Sequence, residues 1–91
     1  MVELSNREAK FLLIIFNAAR PQFREPVYQR ELYNSAERRG FDEREVIDIS
    51  EQLKESGLVL MKRDRDSAGQ PISVVACVQL TQRGIDAVAM M

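Results

Sequence analysis

Lys62, Arg63 and Arg65 are three cations within four residues, a spacing suited to holding the oxygens of a phosphate backbone. Earlier in the chain, Arg44, Ile47, Asp48 and Glu51 recur at the three- and four-residue spacing of one helix face. An arginine on such a face can read guanine, and a carboxylate can accept from the amino group of cytosine. An isoleucine ringed by charges describes a protein contact equally well. These seven side chains are the candidate contact residues.

Other chemistry is thinly supplied. The chain has no histidine and one cysteine, Cys77. Ser–His and Cys–His nucleophilic pairs cannot form within it, and zinc would find one N or S ligand where it needs about four. With one cysteine there is no internal disulfide, a pattern that suits a reducing, cytoplasmic setting. Asp64-Arg65-Asp66-Ser67-Ala68-Gly69 begins like a calcium loop, but Ala68 and Val75 stand where ligands are needed, so it reads as a turn. Glu43, Glu45 and Asp48 pair carboxylates with no sign of a pocket, the pattern of a solvated helix face. The expectation is a binding domain with no catalytic residue, no metal and no cofactor.

The elements that must position these residues come from a single domain, 1–91. Hydrophobic residues make up 45% and charged residues 30%, an ordinary globular balance. The longest apolar run, Phe11 to Phe16, is six residues, against the roughly 20 needed to span a bilayer. The opening Met-Val-Glu-Leu-Ser lacks a basic stretch before an apolar one, so no secretory signal is expected.

Ser5 and Glu8 form a capping box that starts a first helix running to about Arg20. Its apolar run turns through about 500° and so covers every face. That describes either a central core helix or a core helix that also forms a dimer interface. A second helix is expected from near Pro26, with Tyr28, Leu32 and Ala36 on one apolar face and Gly40 beyond its end. The third helix has the strongest local signals: Asp42 and Glu45 as a capping box, Phe41 and Val46 as a staple, and Gly57 and Leu58 placed for a Schellman stop. Val46, Ile49 and Leu53 form its inward stripe, with Ser50 beside it, which leaves Ile47 exposed. A short strand, Leu58 to Lys62, and an alternating one, Ile72 to Leu80, flank a polar loop over 63–71. The alternation places Ile72, Val74, Ala76, Val78 and Leu80 on one face, opposite Cys77. Thr81 caps a last helix.

Glu51-Gln52-Leu53-Lys54-Glu55-Ser56-Gly57-Leu58-Val59 resembles a recognition helix running into the first strand of a wing. Gln79-Leu80-Thr81-Gln82-Arg83-Gly84 resembles the Leu-Thr-x-x-Gly step that opens the last helix of MarR- and PadR-type transcriptional regulators. The resemblance covers nearly the whole chain. It implies an α+β, mostly α winged helix: a three-helix bundle with a helix-turn-helix, a two-stranded β wing and a C-terminal helix. It further implies duplex DNA binding as a small transcription regulator, with the third helix in the major groove and the wing on the backbone. A homodimer through the first or last helix is expected. In such regulators a cysteine can sense redox state, but Cys77 has no neighbouring cation in sequence and reads as a packing residue.

Charge pulls the other way. Segments 1–25, 26–40 and 58–91 each carry +1, whereas 41–57 carries −4, with two cations against six anions. The anions therefore gather on the helix that would enter the groove. Arg30, Arg38 and Arg39 on the second helix are a partial counterweight. The leading expectation is DNA binding, with Lys62, Arg63 and Arg65 on phosphates. The alternative is a winged helix used as a protein-interaction module.

Overall fold

A computed structural model describes residues 4–91; Met1, Val2 and Glu3, part of the opening stretch in which no secretory signal is expected, lie outside the described residues. Ser5 opens the first helix, α1 (Asn6–Ala18), as its sequence dictates. The Ser5 hydroxyl accepts from the Glu8 amide at 3.1 Å, and the Ser5 amide donates to the Glu8 carboxylate at 3.0 Å. Within the apolar run, Phe11, Leu12, Ile14 and Ile15 are buried, and Phe16 stacks on Phe23 at 4.2 Å. Leu13 alone among the six is exposed, at 42%. The chain's own elements thus cover the Phe11, Leu12, Ile14 and Ile15 side of the helix, and an exposed stripe of Asn6, Lys10, Leu13 and Asn17 runs along its other side.

The next segment departs from expectation. Val27–Tyr28 forms a short strand, β1, and the second helix, α2 (Gln29–Arg38), starts after it rather than at Pro26. Val27 pairs with Val78 and Tyr28 with Cys77. A strand partner about fifty residues away thus outweighs the local helix-start signal of the proline. Val27 points into the core, so Tyr28 points out and is 66% exposed instead of packing with Leu32 and Ala36.

Gly40 ends α2 at φ +87°, with the Phe41 amide donating to the Ala36 carbonyl at 3.0 Å. Asp42 then caps α3 (Glu43–Glu55), its carboxylate accepting from the Glu45 amide at 2.8 Å. Gly57, at φ +76°, closes α3 with both Schellman bonds, Leu58 N–H to Leu53 O and Gly57 N–H to Lys54 O, each at 3.0 Å. The two local stops fix the turn between α2 and α3 and the direction in which the chain leaves α3.

The sheet has three antiparallel strands in the order β1-β3-β2, not two. β2 (Val59–Arg65) reaches further than expected and takes in Arg63 and Arg65. The connecting turn shrinks to 66–70, held by the Asp66 carboxylate, which accepts from the amides of Ala68 (2.9 Å) and Gln70 (3.0 Å). In β3 (Pro71–Leu80) the strict alternation fails. Lys62 faces Cys77 but Arg63 faces Val75, so Ala76 is left over as a bulge. Val75 swings into the core with Val78 and Leu80, while Ile72 and Val74 are only half-buried. The Val75 amide donates to the Tyr33 hydroxyl on α2 at 2.9 Å. Tyr33→Phe leaves that part-buried amide unpaired and is expected to cost about 1–2 kcal/mol. A thermal melt checks it.

Candidate interaction surface

α3 is covered on two sides, by α1 and α2 on one and by β2 and β3 on the other. Its buried arc is correspondingly wide: Val46, Ile47, Ile49, Ser50 and Leu53. Ile47 is 5% exposed, so its expected place on the contact face is corrected: it is a core residue. The inward stripe of Val46, Ile49 and Leu53 is present as read, but a helix between two layers also buries the positions flanking its stripe.

The face left outside carries Arg44, Asp48, Glu51 and Glu55, spaced four, three and four residues apart. These form one continuous ridge of three carboxylates and one guanidinium. Glu55 belongs to it although it was not among the candidates. Its spacing from Glu51 would have identified it.

Lys62, Arg63 and Arg65 do not converge. Arg63 turns toward α3, where its Nη2 and Nε lie 2.9 and 3.0 Å from one oxygen of Glu51. Arg65 donates to the Gly69 carbonyl at 2.6 Å across its own turn. Lys62 lies on the opposite face of the sheet, in a row with Cys77 and Tyr28. Among the described residues the ion pairs are Arg63–Glu51 and Arg7–Glu45. Exposed pairs like these are worth about 0–1 kcal/mol, enough to orient a side chain and little more.

Beside the ridge, between α2, the start of α3 and β3, lie two adjoining depressions of about 370 and 460 Å³ that share Tyr33, Glu37 and Glu43. Asp42 and Arg30 also line them. The surface around the start of α3 is therefore mostly acidic. Among the described residues, no three His, Cys, Asp or Glu side chains are placed to hold a metal ion, and no helix is long and apolar enough to cross a membrane.

No protein-family model matches this sequence, and no curated protein matches it either.

Proposed function

We propose that this chain is a winged helix whose third helix docks a basic segment of a partner protein, without catalysis. The element order α1-β1-α2-α3-β2-β3 followed by a last helix, α4 (Gln82–Ala89), with a short Gly40 turn between α2 and α3, supports the winged-helix reading. One observation carries the functional reading. The outward ridge of α3 bears Asp48, Glu51 and Glu55, and the wing cation that reaches it, Arg63, is taken up by Glu51. A DNA-binding surface gains most of its affinity from Lys and Arg on phosphates. Here a phosphate approaching the ridge meets carboxylates, whereas a lysine- or arginine-rich segment meets opposite charge.

Duplex DNA binding is the second reading. It is favoured by Arg44, which stands exposed at the head of the ridge with no ion-pair partner among the described residues. In that reading Arg63 leaves Glu51 and joins Lys62 and Arg65 on the backbone.

The test is fluorescence anisotropy with a labelled oligo-arginine peptide at low salt. Asp48→Lys with Glu55→Lys is expected to weaken binding about tenfold, some 1.4 kcal/mol. Glu25→Lys with Asp86→Lys changes net charge equally away from the ridge and is expected to have a smaller effect. Equal losses for the two pairs would show that the peptide reads net charge and not α3.

A further inference from the structure

Apart from the α3 ridge, the outer face of the sheet presents a second surface of opposite character. Its first cross-strand row is Tyr28–Cys77–Lys62 and its second is Gln79–Leu60. Tyr28 and Leu60 are 66% and 60% exposed, so two of the largest exposed apolar side chains of the domain share one face. Between β2, β3 and the end of α3 lies a hollow of about 280 Å³ lined by Lys54, Leu60, Met61, Lys62, Cys77 and Gln79. Its lining includes two ammonium groups and no carboxylate, and neither lysine has an ion-pair partner among the described residues. The depressions beside α2 and α4 differ in this respect, since Glu37, Glu31 or Asp86 lines each of them.

We infer that this hollow binds an acidic peptide segment of a partner protein, with one apolar side chain seated against Leu60 and flanking carboxylates on Lys54 and Lys62. Charge complementarity selects the occupant. A purely apolar ligand would leave both lysines unused, and a basic one would be repelled by them. Nucleic acid phosphates could use the lysines, but they would set Leu60 against a charged backbone. Clustering of exposed apolar groups rimmed by charge is characteristic of protein-contact surfaces. The face is independent of the acidic ridge, so either surface can fail its test without the other.

The experiment uses the full chain and a labelled peptide of alternating Glu and Leu, with its Lys-for-Glu counterpart as control. The acidic peptide is expected to bind, more weakly as salt rises, and the basic one not to bind at this face. Leu60→Asp is expected to lower affinity at least about tenfold, and Lys62→Glu by a similar factor. Both positions are exposed, so an unchanged circular-dichroism melt verifies the fold, and Tyr28→Ser serves as a further surface variant. Equal affinity of the acidic peptide for wild type and Leu60→Asp would overturn the proposal. So would a labelled oligo-dT strand that binds in a Leu60-dependent way while the acidic peptide does not.

Discussion

Ile47→Asp is expected to unfold the domain, not to detach a partner from a folded one. Ile47 is 5% exposed on α3 and its neighbour Val46 is 1% exposed, so a carboxylate there enters the core. Losing the isoleucine side chain costs about 2–5 kcal/mol by the usual large-to-small range. Burying an unpaired carboxylate adds several more, offset only as far as the group protonates or the helix shifts. A domain of this size has roughly 5 kcal/mol of stability to lose. Far-ultraviolet circular dichroism at neutral pH is expected to show loss of the cooperative melt. Ile47→Val, which keeps the shape, should cost about 0.5–1.5 kcal/mol and stay folded. A cooperative Ile47→Asp fold within about 1 kcal/mol of wild type would return this residue to the surface and reopen it as a contact.

Gly84→Ala is expected to be nearly as damaging although it adds one methyl group. An added Cβ would stand 2.1 Å from the Leu58 carbonyl oxygen and 3.2 Å from a methyl of Leu80. The obstacle is backbone, and that backbone is fixed. The Leu58 carbonyl accepts from the Thr81 amide at 3.1 Å, and the Thr81 hydroxyl lies within hydrogen-bond reach of both Gly57 O and Leu58 O. The same hydroxyl accepts from the Gly84 amide at 3.1 Å and so caps α4 (Gln82–Ala89). The methyl group must therefore push α4 off the start of β2 or break this cluster. An expected loss of about 3 kcal/mol corresponds to a fall of roughly 12–24 °C in Tm for a domain of this length. A Tm within about 2 °C of wild type would mean that α4 moves freely and is not locked to the end of α3.

This cluster also explains why the Leu80-Thr81-Gln82-Arg83-Gly84 step was legible in the sequence. Threonine is there to cap and glycine to permit close approach, and both needs are local. The capping boxes at Ser5 and Asp42 and the glycine stops at Gly40 and Gly57 were legible for the same reason. What escaped depends on partners distant in the chain. β1 exists because Val27 and Tyr28 find Val78 and Cys77. The inward turn of Val75 depends on a bulge at Ala76 and on a hydroxyl from α2. Periodicity located the stripe of α3 but not the width of its cover, and so placed Ile47 outside.

The candidate contact residues divide along the same line. That Arg44, Asp48 and Glu51 share an outward face follows from helical spacing, and the structure retains it. That Arg63 is held by Glu51, Arg65 by its own turn, and Lys62 on the other face follows from strand register, which the sequence pattern does not reveal.

The central claim, that the exposed face of α3 is a protein surface and not a phosphate-binding one, is tested most directly by a salt titration. Anisotropy of a labelled random duplex pool would be followed from low to physiological salt. The expected result is no binding even at the lowest salt. Binding that weakens log-linearly with salt would contradict the claim, and its slope would count the phosphates held.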